Sequence, residues 1–547
     1  MSPSDGPVPG DTRESLIRHA AVMTVGTALS RVTGFLRLTA MTAIVGVTVS
    51  QGLGSVYTVA NLTPNILYEL ILGGILTSVF VPVFIERAET RGWDDATEVV
   101  HRVVTLVLVI LVVVAALGAL FAEPIIGLYL SSSNDPTRQA QIDLGVFFLR
   151  WFMPQIVFYG VGAVAIGLLQ ARRRFAAPMF APILNNLVVI ATFVAYAAVR
   201  GDRSPRVVGI TTAEKTVLAV GTTLGVIAMT VALWPSLRSL GYRLRLRLDW
   251  RHETVRHLVR LAGWVALYVA ANQLAYVVVI VLNNRFPAGP QVYTTAFTVF
   301  QLPHAIFAVS IFTALLPGMS ERWATGQPDG VRALASRGLR DTLVVALPAA
   351  LGLFVLAEPI VRLLFEHGAA TPRDTVVIAR TLQGFAVGLL FFSAFQLLTR
   401  TFYAMQDTRT PAIVNVVGAF VNVGAALLYT FPLALGLRGM ALAHATSYVV
   451  VSGVLLLLLR RRLGSIDGAR IAQTAVRVGV AAIASSAAAY GVVTVWDVGA
   501  GADLLARAAN VGVAIVAGVL VFLVTTLILR VAEVDDLRRA VLGRFRG

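Results

Sequence analysis

Arg31 and Arg37 stand inside the first apolar stretch of the chain, in Thr27-Ala28-Leu29-Ser30-Arg31-Val32-Thr33-Gly34-Phe35-Leu36-Arg37. An arginine near the centre of a bilayer costs at least about 2.5–3.5 kcal/mol unless it faces a partner or a wet cavity. Six residues of helix separate the pair by about 9 Å of rise and about 120° of rotation. They can therefore line a broad concave wall, but they cannot close one tight clamp. A guanidinium pairs bidentately with phosphate or carboxylate, so an anion-binding wall is the chemistry this spacing suits. The alternative is that each arginine snorkels or pairs with a carboxylate. Glu69, just after Pro64-Asn65-Ile66-Leu67-Tyr68 in the second apolar stretch, is the obvious partner. It reads either as a structural ion pair with one of the arginines or as a proton or cation coupling site. Gly34 permits a bend or a close approach. Pro64 is expected to break its helix and free carbonyls toward a cavity, as Pro303 is in the second half.

The elements that position these groups follow from composition. Of the 547 residues, 57% are apolar and 14% charged, against roughly 45–50% and 25% in soluble proteins, which excludes a water-soluble globular protein. The net charge of +16 comes from arginine, with Lys215 the one lysine. A basic balance can mean nucleic acid, but with this apolar fraction it points to a membrane with positive cytoplasmic loops, and no nucleic acid is expected. There is no cysteine, so a disulfide framework, an iron–sulfur cluster and a thiolate zinc site are excluded. A spanning helix needs about 20 apolar residues, and fourteen such segments can be placed, from 20 to 46 through to 504 to 529. Arg172 to Arg174, the run from Arg238 to Arg256, and Arg460 to Arg462 all fall inside if the N-terminus is cytoplasmic, which sets both termini in the cytoplasm. Met1 to Arg18 lacks an apolar core and reads as a tail, not a signal peptide.

The chain also repeats itself at an offset of about 235 residues. Pro82-Val83-Phe84-Ile85-Glu86-Arg87 recurs as Pro317-Gly318-Met319-Ser320-Glu321-Arg322, and Ala122-Glu123-Pro124-Ile125 as Ala357-Glu358-Pro359-Ile360. Pro64 matches Pro303, and Pro178 matches Pro411. The expected fold is therefore an all-α polytopic membrane protein with 14 transmembrane helices: two six-helix lobes related by a pseudo-twofold repeat, plus two extra C-terminal helices. Such lobes make an alternating-access transporter, with substrate near mid-membrane between them. Glu123-Pro124 and Glu358-Pro359 read as helix ends, and Glu86 and Glu321 as gate positions at the ends of the second span of each lobe.

Most other intramembrane polar residues, among them Gln155, Asn185, Asn186 and Gln301, are expected to make interhelical hydrogen bonds. His304 and His444 lack metal-ligand spacing, so no metal site is expected. No Walker A sequence, nucleophile elbow or zinc-protease motif occurs. With no cofactor and no ATP site expected, transport would draw on the membrane potential, an ion gradient or the substrate gradient. The rival readings are a drug or metabolite exporter, a membrane enzyme acting on polyprenyl phosphates, and a scaffold recruiting cell-wall enzymes.

Through Ser30-Arg31-Val32-Thr33-Gly34-Phe35-Leu36-Arg37, Pro64-Asn65-Ile66-Leu67, Phe80-Val81-Pro82, Phe175-Ala176-Ala177-Pro178, Leu315-Leu316-Pro317 and Gln406-Asp407-Thr408-Arg409-Thr410-Pro411, the chain resembles the MviN/MurJ family of lipid II flippases over nearly its whole length. The resemblance implies the multidrug/oligosaccharidyl-lipid/polysaccharide exporter superfamily and movement of a polyprenyl diphosphate-linked peptidoglycan precursor to the outer leaflet of the bacterial plasma membrane. Its implied partners are that precursor, membrane lipids and cell-wall synthesis proteins. Arg31 and Arg37 match the family's first-span cavity arginines. This chain carries Tyr68 and Glu69 where many members are basic, Thr298 at the place of a cavity arginine in span 8, and Gly54-Ser55 near a usual aspartate. The implied substrate-binding set is thus Arg31, Gly34, Arg37, Asn65, Glu69, Thr298 and Gln301, with Pro64, Pro303, Glu86 and Glu321 as hinge or gate. The implied organisation is a cytoplasmic tail (1–18), an N-lobe (19–236), a basic linker (237–256), a C-lobe (257–460), an extra helix pair forming a groove for the lipid tail (461–530), and a second tail (531–547).

Overall fold

In hydrocarbon no water satisfies the backbone, so long apolar runs take the α-helix, which makes its interior hydrogen bonds within the segment. The computed structural model describes residues 13–47, 52–72, 90, 92–172, 174–240, 247, 253–499 and 501–535. Among them the first half forms α1 (Arg13–Val45), α2 (Leu53–Leu72), α3 (Trp93–Leu120), α4 (Ala122–Tyr129), α5 (Arg138–Phe152), α6 (Gln155–Ala171), α7 (Ala176–Arg200), α8 (Thr212–Val231) and α9 (Trp234–Arg238). The second half forms α10 (Glu253–Asn283), α11 (Gly289–Pro303), α12 (Val309–Ala324), α13 (Pro328–Val355), α14 (Ala357–Phe365), α15 (Pro372–Ala386), α16 (Leu389–Ala404), α17 (Arg409–Thr430) and α18 (Gly436–Leu463), followed by α19 (Gly468–Val495) and α20 (Leu504–Ile528).

Among the described residues, 10 helical stretches are long and apolar enough to cross a membrane, or 12 if two bent pairs count as one span each. Of the fourteen expected spans, the second (53 to 85) begins as α2 and then leaves the described residues, and Glu86 goes with it. The seventh (257 to 282) falls on α10, where Tyr268–Asn283 is apolar but shorter than a full span.

The repeat reappears in helix order. Each half breaks just before its Glu-Pro pair and starts a short helix there, α4 with Glu123 and α14 with Glu358 in the first turn, as expected of residues that precede proline. Packing repeats as well: α7 lies on α8 as α17 lies on α18, α6 on α8 as α16 on α18, and α3 on α6 as α13 on α16. Threonine capping boxes open α8 at Thr211 and α15 at Thr371, with Glu214 and Asp374 as the returning carboxylates. The prolines differ. Pro303 ends α11, a π-turn over His304–Ala308 follows, and the two arms of this span meet at 53°. The expected break at Pro64 does not occur: α2 runs from Leu53 through it to Leu72, and the adjoining Thr63 hydroxyl donates to the Val59 carbonyl at 2.9 Å, the kind of local adjustment that lets a membrane helix carry a proline.

The described residues divide into two compact units, one drawn from Met1–Val45, Val56–Leu128 and Pro136–Ala270, the other from Gly46–Ser55, Tyr129–Asp135 and Ala271–Gly547. In the first, Tyr57 stands edge-on against Phe148, Phe152 and Phe193 at 5.6–5.9 Å between ring centroids. In the second, Phe297, Phe300, Phe385, Phe392 and Tyr448 surround His444 and His304, and His304 Nδ1 lies 3.0 Å from Ser393 Oγ. Helices α19 and α20 pack on each other, α19 against α13 and α20 against α14. One buried charge locks this pair: Arg507 donates to the Glu366 carbonyl at 3.1 Å and to its carboxylate at 3.3 Å, while Glu366 also accepts from Thr375 Oγ1 at 2.6 Å. Breaking one side of a buried pair strands the other charge. Arg507→Met alone should therefore lower stability by about 3–5 kcal/mol, read as a fall in Tm in detergent, whereas Arg507→Met with Glu366→Leu should recover most of that loss; equal losses in the single and double variants would refute the lock.

Candidate functional site

Helix α1 fixes the site because of what it packs against. Asn186 of α7 donates to the Ser30 carbonyl at 3.3 Å and to Thr33 Oγ1 at 3.1 Å, and a Cβ on Gly34 would lie 3.4 Å from Asn186 Nδ2. That is an ordinary contact distance, so the helix packing does not demand a glycine there, and the bend also open to Gly34 is not seen, since α1 continues through it unbroken. Ser30, Thr33, Gly34 and Arg37 follow the i, i+3, i+4, i+7 stripe of one helix face. That register turns Arg37 inward and half-buries it, while Arg31, off the stripe, is exposed.

Arg37 lies within electrostatic reach of the hydroxyls of Tyr57 and Tyr159. Tyr57 also shares a 2.7 Å hydrogen bond with Thr222, and the Tyr159 ring packs on Tyr68 at 5.8 Å. Tyr68 carries Glu69 next to it in the chain, and Glu69 is half-buried. The expected ion pair of Glu69 with Arg31 or Arg37 does not form among the described residues. Neither arginine has a hydrogen bond or ion pair to another described residue. Thr222 donates to the Leu218 carbonyl at 2.6 Å, so Tyr57 spends its proton on Thr222, and the Tyr159 hydroxyl and the Arg37 guanidinium are the donors open to an anion; no described nucleophile stands with a base beside them.

Asn65 is exposed on α2, and Pro64 is buried. In the second unit Thr298 Oγ1 donates to its own helix at the Thr294 carbonyl, 2.9 Å. Gln301 is half-buried two residues before Pro303, and Glu321 is exposed near the end of α12. The interhelical role expected of the other polar groups is seen at Asn186 and at Gln155, whose Nε2 donates to Thr223 Oγ1 at 3.1 Å. A side chain at Gly54, near the family's usual aspartate, would meet Gln291, with 1.9 Å from a Cβ to Oε1; Gln291 instead donates to the Gly46 carbonyl at 2.9 Å. Sequence reasoning passed over Tyr57 and Tyr159. Tyr57 and Tyr68 are eleven residues apart, about three turns, and so share one face of α2; that spacing was the available sign.

The Gln406-to-Pro411 motif makes a turn at the start of α17. Gln406 takes a left-handed φ of 59°, and Asp407 accepts from Thr410 N at 2.9 Å and Thr410 Oγ1 at 2.8 Å and pairs with Arg462 from the end of α18. Burial pushes the Asp407 carboxyl up, but these donors outweigh it and hold it below its ordinary value.

A multi-pass helical bundle that carries two arginines with no partner among the described residues belongs to the class of membrane transporters. The comparisons give the family. The model for lipid II flippase MurJ matches residues 41–507, so the chain belongs to that family. A probable lipid II flippase MurJ of Rhizobium meliloti (strain 1021) is 30% identical over 441 residues, covering 79% of this chain and 78% of its own. The lipid II flippase MurJ of Burkholderia cenocepacia is 29% identical, covering 81% and 84%. Among solved structures, a lipid II flippase MurJ in an inward closed conformation matches with TM-score 0.74 at 20% identity, covering 93% of this chain and 99% of that one. An inward-facing multidrug resistance MATE transporter of the MOP superfamily matches at 0.65 and 15% identity, covering 80% and 95%.

The Asp407 turn predicts a pH dependence of stability. A carboxylate whose folded pKa is depressed below its unfolded value of about 3.9 contributes fully above that value and loses its contribution as pH falls through the folded pKa. Asp407→Asn should accordingly lower Tm at pH 7 and flatten the acid side of the Tm profile below about pH 4; profiles that run parallel down to pH 3 would contradict the assignment.

Proposed function

We propose that this protein is a flippase that moves lipid-linked peptidoglycan precursor, lipid II, from the cytoplasmic to the outer leaflet of the bacterial inner membrane by alternating access. The observation that carries the reading is the pair of intramembrane arginines without a protein acceptor, Arg37 beside the tyrosine hydroxyls, in a chain of the lipid II flippase family. Arg31 and Arg37 engage the diphosphate. Tyr159 adds a hydroxyl donor to it. Fourteen spans in two six-helix lobes, with both termini cytoplasmic, complete the arrangement. Helix α19 presents exposed Val480 and Ile483, and α20 exposed Val513, Val516, Leu520 and Leu523, to the polyprenyl tail. Pro303 and its π-turn are the bending point of the second half, and Glu86 and Glu321 are the gate positions at the ends of the second span of each lobe.

The cargo leaves chemically unchanged, so the protein does no covalent chemistry. The energy comes from the membrane potential or an ion gradient. Glu69, free of an ion pair with either arginine, is the group placed to take up a coupling proton or cation. The MATE-like fold supports a second reading, export of a drug, metabolite or other polyprenyl-linked oligosaccharide. Guanidinium groups favour an anionic cargo over the amphipathic cations that acidic pockets select.

In a strain depleted of its own flippase, Arg31→Ala and Arg37→Ala should each abolish complementation with expression unchanged, and Arg37→Lys should restore it in part, because lysine keeps the charge and loses the bidentate fork. Intact precursor should then build up in the inner leaflet. Full complementation by both alanine variants would sink the assignment. A Glu69→Gln variant should keep precursor binding and slow its appearance outside; loss of binding would instead make Glu69 part of the pocket.

A further inference from the structure

Within the second unit, α14, α19 and α20 enclose a cavity of about 280 Å³ whose lining carries both signs of charge. Glu358 and Asp497 supply the carboxylates, Arg362 and Arg507 the guanidinium groups, and Gln383 and Asn510 the neutral polar groups. These positions are set from behind. Arg507 is buried against Glu366, and Arg362 is shared between Glu358 at 2.7 Å and Glu366 at 3.7 Å. Gln383 is anchored on the Phe354 carbonyl at 3.1 Å and Asn510 on the Trp496 carbonyl at 2.6 Å. Asp497 is exposed and enters no ion pair among the described residues. Around the same helix ends Val495, Trp496, Leu504 and Leu505 are exposed, an apolar rim with a tryptophan of the kind that sits at the level of lipid head groups.

The lining selects by exclusion. A hydrocarbon chain would take solvent from two ion-paired guanidinium groups and leave the Asp497 carboxylate with neither water nor partner. A simple anion meets Glu358 and Asp497, and a simple cation meets Arg362 and Arg507. Glu366, behind the guanidinium groups, tips the balance toward negative, so a lone phosphate is held less well than a group that also brings an ammonium. A primary ammonium offers three N–H donors to the carboxylates, whereas a quaternary one offers none and calls for an aromatic cage, and Tyr490 is the one aromatic ring in the lining. The rim places acyl chains beside the cavity mouth. We propose that this cavity binds the head group of a phospholipid that is zwitterionic with a primary amine, its phosphate toward Arg362 and Arg507 and its ammonium toward Glu358 and Asp497. The site is separate from the arginines of α1 and does not depend on what those carry.

The test is native mass spectrometry of the purified full-length protein with added phosphatidylethanolamine, phosphatidylglycerol or phosphatidylcholine. Phosphatidylethanolamine should be retained about tenfold better than the other two, a difference of about 1.4 kcal/mol. Asp497→Asn and Glu358→Gln should each remove most of that preference while leaving phosphatidylglycerol retention unchanged; Asp497→Asn removes no ion pair and so leaves folding intact. Equal retention of the three lipids, or a preference untouched by both variants, would overturn the proposal. So would full displacement of phosphatidylethanolamine by millimolar inorganic phosphate, which would mark a free-phosphate site.

Discussion

A guanidinium placed in hydrocarbon must find an acceptor or keep water with it, and the chain meets that requirement in several ways. Arg507 finds a carboxylate and two backbone carbonyls. Arg200, at the last turn of α7, donates to the Ile44 carbonyl at 2.6 Å and so ties the ends of α7 and α1 together. Arg462 finds Asp407. In each case a protein acceptor converts the cost into a cross-link between helices. Arg31 and Arg37 lack such an acceptor among the described residues, and the same physics that makes the others structural makes these two available to something else.

Their availability depends on the packing of α1. Asn186 and the small face formed by Ser30, Thr33 and Gly34 hold α1 against α7 without using a charge, which frees the arginines from a structural role. Were the contact made by an ion pair instead, Arg37 would be consumed by it. The duplication gives the other half the same helix order and the same packing partners, yet its aromatic cluster encloses His304 and His444 where the first half has Arg37 among tyrosines. Duplication preserved the frame, and the chemistry of the two copies diverged inside it.

Much of this was legible before any coordinates, for reasons specific to membranes. Apolar runs, charge asymmetry and the Glu-Pro repeat each encode a strong constraint, and α3, α4, α13 and α14 fall where those signs put them. What stayed hidden was decided by side-chain geometry. A proline reads as a breaker wherever it stands, but α2 carries Pro64 in its interior, whereas Pro303 is followed by a π-turn at which its span bends. Glu69 and Arg37 looked like partners because opposite charges in neighbouring spans attract; the register of α1 points Arg37 at Tyr57 and Tyr159 instead. Tyrosine reads as apolar in a composition count, so its hydroxyl went unnoticed until the faces of α2 and α6 met.

That arrangement bears on how a pocket can bind a diphosphate and still release it. A guanidinium already neutralised by a carboxylate would bind phosphate weakly, and two unscreened guanidinium groups clamped together would hold it too well to let go. Separating Arg31 from Arg37 by about 9 Å along one helix, and backing only one of them with neutral phenols, gives an intermediate solution. The anion meets one exposed charge and one half-buried charge in sequence, with a hydroxyl donor that adds affinity without adding charge. Glu69, in no ion pair with either arginine among the described residues, can change its own protonation without cancelling them, so a coupling event and the binding of cargo can act on the same unit through separate groups.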